Sequence, residues 1–439
     1  MAKISPFRGL HYNPQKITDL SLVATPPYDV IPPEDELRYR ERHPHNIIRI
    51  ILPDGKMGGD RYHEAAHYLH QWESDNILIR DEKPSIYPYQ QCFESTSGEM
   101  IERNGFIALG KLETLGPGGT LPHEKTSPKP VEDRLRLTEA CSANLSQVFI
   151  LYSDPAGEVE SQLATTWDTS PRYEFRDDTG VIHRFWQLSN QDIISYIANV
   201  MKDKTLIIAD GHHRYTTALL YRDKMRERFP SYSDRSPFEY SMLYLTPLEG
   251  EGLIILPTHR LVSLRGSFDR DFFYANLNKY FSLSDFSFNG GEEKGSRERF
   301  FESLDKKRND AYTFGLYISG ENRYIQCNLK KEVKIQELLR EYPEVLQELD
   351  VTLLDGFIFK KLLNIGEENL GYLKDRDETL EEVHGGRYDA AFLMNPPTIQ
   401  QLQRVVQANE IMPRKTTFFY PKVATGLVLN KIVPGEEIV

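Results

Sequence analysis

Apolar positions recur along this chain with two periods, and each period predicts a different kind of element. Tyr62, Ala65, Ala66, Leu69 and Trp72 fall on one face at 3.6-residue spacing and predict a helix. Ile193–Met201 and Tyr215–Glu227 read as helices too, flanking the unbroken apolar run Thr205–Ala209, which predicts a buried strand. Ile86–Phe93 and Asn104–Leu112 predict a hairpin around Ser95-Thr96-Ser97-Gly98. Tyr240–Thr246 and Leu253–Pro257 predict a second hairpin around Glu249-Gly250-Glu251-Gly252. Asn46–Leu52 and Val148–Tyr152 read as further strands. Pro26-Pro27 and Pro32-Pro33 fix φ and predict an ordered loop without a regular element. The long segment Gly116–Asp133, rich in Gly, Pro and charge, leads into a helix expected over Val131–Ala143.

Beyond residue 263 the alternation of helix and strand is more regular. Phe268–Tyr280, Ser296–Lys307 and Thr398–Ala408 read as helices, Tyr312–Ser319 and Tyr324–Leu329 as a hairpin, and Ala390–Asn395 as a strand. The expected fold is α+β, with two lobes of mixed sheets and helices. An N-terminal lobe spans 1–262 and a C-terminal α/β lobe spans 263–439.

Composition narrows the function classes. The 439 residues suffice for two such cores. A net charge of −12 argues against generic nucleic-acid binding. Cys92, Cys141 and Cys327 are odd in number and widely spaced, which argues against a disulfide framework or a thiolate zinc site. With no apolar signal region and no run long enough to cross a bilayer, the expected address is a reducing cytoplasm. The expected partner is a small-molecule substrate.

The candidate chemistry gathers in two stretches. In the first, the Thr205–Ala209 strand turns on Asp210-Gly211 and enters a helix whose first turn holds His212, His213 and Arg214. A helix start offers unpaired N–H groups and a positive dipole end, so strand, glycine and basic residues together make an anion site, most naturally for phosphate. Asp210 has two open readings, a Mg2+ ligand beside phosphates or a cap of the helix. His212 and His213 project about 100° apart, so at most one faces a ligand, with His213 and Arg214 the favoured pair.

The second stretch is Leu121–Pro130 with Glu132-Asp133-Arg134. Here Glu124 can act as a general base on a hydroxyl, beside His123, and Lys125, Lys129 and Arg134 can neutralise phosphate charge. Pro122, Pro128 and Pro130 stiffen the loop. Late in the chain, Met412–Lys422 mixes cations with aromatics and reads as a charged strand edge or as a second basic rim. Signatures of P-loop proteins, dinucleotide-binding folds, serine hydrolases and protein kinases are absent.

Pro6-Phe7-Arg8-Gly9, Pro26-Pro27-Tyr28-Asp29-Val30, Leu121–Thr126, Ala143-Asn144-Leu145-Ser146, Asp210–Tyr215, Leu256–Arg260 and Phe419-Tyr420-Pro421-Lys422 resemble the bacterial family labelled domain of unknown function 1015. The Asp-Gly-His-His-Arg turn is similar to the phosphate-binding turn of the ParB/sulfiredoxin-like superfamily, which includes free-serine kinases. In those kinases a Pro-His-Glu segment supplies the base, and Pro122-His123-Glu124 resembles it. The resemblance implies a ParB/sulfiredoxin-like strand-turn-helix unit, Glu124 as base, and Asp210–Arg214 as phosphate cradle. It also implies a phosphotransferase acting on a small hydroxyl metabolite, free L-serine first among them, with ATP, ADP or pyrophosphate as donor and Mg2+. The alternatives are a phosphatase or nucleotide hydrolase in the same site, or a nucleotide-binding regulatory module without turnover.

Overall fold

The apolar run before Asp210 becomes an edge strand, Ile207–Asp210, and the sheet it joins is the frame of the first compact unit. The computed structural model describes residues 2–56, 58–95, 98–264, 269–308 and 312–438. Thr96 and Ser97 of the expected first hairpin turn, and Phe268 of an expected helix, lie outside the described residues. The chain is mixed α+β in two units. Unit 1 is Met1–Ile254 with Pro421–Val439, and unit 2 is Ile255–Tyr420.

In unit 1 the eight-stranded sheet runs Ile207–Asp210, Val148–Tyr152, Tyr240–Pro247, Met100–Lys111, Tyr87–Glu94, Ile182–Phe185, Tyr173–Arg176, with Ile4–Ser5 added beside Met100–Lys111. Val148–Tyr152 lies antiparallel to Ile207–Asp210 and parallel to Tyr240–Pro247. Val148, Ile150, Phe106, Leu243, Leu245 and Ile208 pack with Ile194, Ile197 and Met201 of the Gln191–Met201 helix and with Tyr215 and Ala218 of the His212–Arg228 helix. Burial of that apolar face is the main favourable term for this unit.

The expected hairpin over Tyr87–Glu94 and Met100–Lys111 is present. Tyr240–Pro247 does not form the second one; its neighbours are Met100–Lys111 and Val148–Tyr152. Asn46–Leu52 is not a strand. Ile48–Ile51 is a helical turn, begun by Asn46, whose side-chain oxygen accepts from the Ile48 N–H at 3.0 Å. A short apolar run of β-branched residues suits either element, and the local side-chain cap decides here. Pro33, expected in a loop, instead opens the helix Pro33–Arg42. Pro33 sits in its first turn, where a missing N–H costs nothing, and Glu34, Asp35 and Glu36 follow at the positive dipole end.

The last segment of the chain belongs to unit 1 and not to a C-terminal lobe. Its backbone is the reason. Thr425 bridges Thr25, Leu429 bridges Leu10, and Asn430–Lys431 pairs with Ala143–Asn144.

Unit 2 is an antiparallel six-stranded sheet in the order Phe281–Ser287, Arg323–Leu329, Thr313–Ile318, Ala390–Met394, His259–Val262, Leu370–Leu373. Phe300, Leu304, Leu380 and Val383 from two helices cover Tyr317, Tyr324, Ala391 and Leu393. Among the described residues no helix is long and apolar enough to cross a membrane.

Candidate functional site

The joint between Ile207–Asp210 and His212–Arg228 has three parts: a strand end, a tight turn and a helix start. The strand register slips between Ile208 and Asp210, a bulge that re-aims the Asp210 side chain. Gly211 follows at φ +88°, a left-handed conformation that favours glycine. A Cβ on Gly211 would also lie 2.9 Å from the Arg214 guanidinium carbon. The backbone conformation requires glycine here, and a Cβ would also displace the Arg214 guanidinium. Gly211 makes no side-chain cap, and Asp210 does not cap the helix.

Asp210 instead binds two cations. One oxygen accepts from Lys422 Nζ at 2.8 Å and the other from an Arg214 terminal nitrogen at 2.9 Å. Lys422 first, then Arg214, hold the Asp210 carboxyl far below the ordinary carboxylate range against the opposing effect of burial. The other Arg214 terminal nitrogen donates to the Gln147 carbonyl, and its buried Nε has no hydrogen-bond partner. One carboxylate facing two cations leaves a net positive turn beside the N–H groups of the helix start.

Lys422 comes from 212 residues along the chain. Its backbone carbonyl accepts from Gln91 Nε2 at 2.9 Å, and the preceding Pro421 carbonyl accepts from Arg103 at 2.5 Å. Arg103 is itself fully buried, over the rings of Phe149 and Tyr244. The hairpin thus fixes where the Lys422 ammonium sits. Sequence reasoning reached this residue as part of a charged strand edge or a second basic rim; its partner could not be read from local pattern.

The loop from 121 to 127 is stitched onto the same joint. Leu121 bridges Ile207 on the open edge of the strand, donating to the Leu206 carbonyl at 2.8 Å and accepting from the Ile208 N–H at 2.9 Å. The His123 N–H donates to His212 Nε2 at 3.2 Å, and the Ser127 N–H donates to His213 Nε2 at 3.0 Å. Glu124, half-buried, lies between these two anchors. The long loop therefore meets the Asp-Gly turn despite its sequence distance.

These bonds change the expected roles of the histidines. His212 is 5% exposed and its Nε2 is an acceptor, so it is not an outward-facing cation. Burial, followed by the neighbouring His123, pushes its pKa well below 6.5. His123 Nδ1 donates to the Ile208 carbonyl at 2.7 Å, its ring meets His212 edge-on, and burial lowers its pKa to about 4. Both rings are neutral at pH 7 and hold the loop to the helix. His213, expected to face a ligand, takes the Ser127 N–H on Nε2.

Of the remaining residues, Lys125 and Lys129 are exposed. Arg134 is buried and already committed. It donates to the Ile51 carbonyl at 2.6 Å, pairs with Asp133 at 2.5 Å and lies over Tyr28 at 4.2 Å. Burial raises the Tyr28 hydroxyl to about 12. Arg134, Arg214, Tyr28, Asn144 and Ser146 line a cavity of about 50 Å3.

Asp210 does not fit a Mg2+ ion directly. Both its oxygens face cations, so a divalent ion there would stand against Lys422 and Arg214. Among the described residues no group of three or more His, Cys, Asp or Glu side chains could hold a metal. The same cations and a Cβ-free turn fit a phosphate group.

No curated protein matches the chain. A conserved hypothetical protein from Pyrococcus furiosus is similar at 12% identity and a TM-score of 0.32, over 72% of this chain and 92% of that one. A free serine kinase in complex with AMP is similar at 13% identity and a TM-score of 0.31, over 71% and 86%. A C-terminally truncated SbnI from Staphylococcus aureus gives 10%, 0.34, 73% and 86%. Likenesses at that level carry no argument about activity. The family model is different: it matches residues 4–352, and the chain belongs to the family described as protein of unknown function (DUF1015).

Proposed function

We propose that unit 1 is a phosphotransferase whose Asp210-Gly211 turn binds the donor phosphate and whose Glu124 activates the acceptor hydroxyl. The turn would act as a ParB/sulfiredoxin-like phosphate-binding unit. The observation that carries this reading is the pair of bonds from the His123 and Ser127 N–H groups to His212 and His213, which keep the Glu124 segment at the helix start. A general base and an anion cradle need that proximity, because phosphoryl transfer depends mainly on positioning and charge neutralisation.

In the reaction, Glu124 takes the proton of the acceptor hydroxyl, whose oxygen attacks the terminal phosphorus. The bond from phosphorus to the donor's bridging oxygen breaks, and the shortened donor leaves with the electron pair. The Gly211 turn, Arg214 and Lys422 stabilise the charge that develops. Exposed Lys125 and Lys129 would meet the outer part of the donor. His123, His212 and Arg134 act as positioning residues, since their polar atoms already serve the protein's own backbone.

The donor is a nucleotide or pyrophosphate and the acceptor a small hydroxyl metabolite. Free L-serine is the first to test, on the strength of the Pro122-His123-Glu124 resemblance. Incubating the protein with Mg2+, L-serine and ATP, ADP or pyrophosphate should give phosphoserine in 31P NMR spectra. Inorganic phosphate formed without any acceptor would indicate a hydrolase. Donors left intact with every hydroxyl compound tried would end the phosphotransferase reading.

A further inference from the structure

Unit 2 has a cavity of about 260 Å3, where roughly 10–15 Å3 takes one water. Thr258 and Arg260 form one wall, Leu349–Val351 another, and Met394–Thr398 the approach to the Ile399–Gln407 helix. Exposed Arg308 also borders it.

Two ionisable side chains on these walls, buried Arg260 and half-buried Asp350, make no ion pair among the described residues. Arg260 is 2% exposed and makes no ion pair among the described residues. One terminal nitrogen donates to the Thr258 carbonyl, and the other has only 3.4 Å contacts to the Arg414 and Lys415 carbonyls. Its Nε has no partner. Asp355 acts on it only through space, and Asp355 itself keeps an unpartnered buried oxygen. Also on the cavity wall, Asp350 accepts from the Tyr312 N–H at 2.7 Å and makes no ion pair among the described residues. Burial raises its carboxyl to about 7. Arg260 and Asp350 both border the cavity.

Buried charges are ordinarily paired, because an unpaired one forfeits its hydration. Leu349, Val351, Met394, Pro396 and Pro397 supply apolar parts of the same wall. The partner that satisfies both ends at once carries an anion at one end and a cation at the other, with a small apolar body. We propose that this cavity binds a zwitterion of the α-amino-acid class, its carboxylate on Arg260 and its ammonium on Asp350. The site is independent of the phosphotransferase reading, since all its residues belong to unit 2.

Calorimetric titration of the full chain with glycine, L-alanine and the other proteinogenic amino acids tests this. At least one should bind, while acetate and methylammonium, each bearing one of the two charges, should bind on the order of 30-fold more weakly. Asp350→Asn keeps an oxygen for the Tyr312 N–H. It should weaken the amino acid by a similar factor and leave acetate unaffected. Bound amino acid should also slow amide exchange over 258–262 and 394–401 in the unaltered chain, a readout that does not depend on any variant folding. The proposal is overturned if no amino acid binds, if acetate alone binds as tightly, if Asp350→Asn leaves amino-acid affinity unchanged, or if protection falls only around Asp210 in unit 1.

Discussion

The two units treat buried charge in opposite ways. At the unit 1 turn, Asp210, Arg214 and Lys422 compensate one another, and His123 and His212 are held neutral as hydrogen-bonding struts. In unit 2, Arg260 and Asp350 border a cavity and make no ion pair among the described residues. A paired cluster is rigid before any ligand arrives, which is the condition for electrostatic catalysis. An unpaired cluster is completed by what binds to it. Polar groups of similar kind are thus mutually paired in one unit and left without ion pairs among the described residues in the other.

The contrast can be broken most sharply at Glu124. Glu124→Gln keeps shape but loses basicity, and turnover should fall by roughly 10²–10⁴-fold with donor binding nearly intact. Calorimetry with ADP alongside a turnover assay separates the two; equal losses in both would contradict a base.

Lys422→Met removes one cation from Asp210 and from the donor phosphate. Donor affinity should drop by about 10–100-fold, with a melting temperature close to that of the unaltered protein. Donor binding that does not respond would show that the anion site lies elsewhere.

His213→Phe should have a smaller effect. It deletes the acceptor for the Ser127 N–H and loosens one anchor of the Glu124 loop. Turnover should fall about tenfold without a matching change in donor affinity, and the Ser127 amide should exchange faster. An unchanged Ser127 amide would remove the strut role.

The smallest and most diagnostic effect is on pH. His123 and His212 are depressed below their ordinary 6.5, His123 to about 4. The stability they contribute is present above pH 6.5 and lost as pH falls towards 4. Asp350 and Asp355 are raised, to about 7 and about 6, so their contribution is present at low pH and lost as pH rises through those values. Buried His259, lowered to about 3, partly opposes them in unit 2. Asp350→Asn should therefore stabilise unit 2 relative to the unaltered protein at pH 8, and that advantage should shrink as pH falls through 7. Peptide-resolved amide exchange, corrected for its own pH dependence, follows each unit separately. An advantage that does not vary with pH would mean Asp350 is not a buried carboxyl.

What the sequence made legible was local. The strand, the Asp-Gly turn and the helix start lie within fifteen consecutive residues, and all three formed where periodicity and glycine predicted them. The hairpin over Tyr87–Lys111 was legible for the same reason. Partnerships at long range were not. His212 and His213 read as cations because nothing nearby showed the N–H groups of His123 and Ser127, 89 and 86 residues away, that claim their nitrogens. Lys422 read as a charged strand edge or a basic rim, with no partner assigned, because Asp210 is far off in sequence. The return of residues 421–439 to unit 1 rests on pairings with Thr25, Leu10 and Asn144, which no local pattern encodes.

The central claim is that the Asp210-Gly211 turn and the Glu124 loop make one phosphoryl-transfer site. A crystal structure of the protein with ADP tests it most directly. The expected result is the terminal phosphate within hydrogen-bond distance of the Gly211 or His212 N–H and of Arg214 or Lys422, with the Glu124 carboxylate facing the phosphorus. ADP bound with its phosphates away from Gly211, or Glu124 turned away from a phosphate seated there, would contradict it.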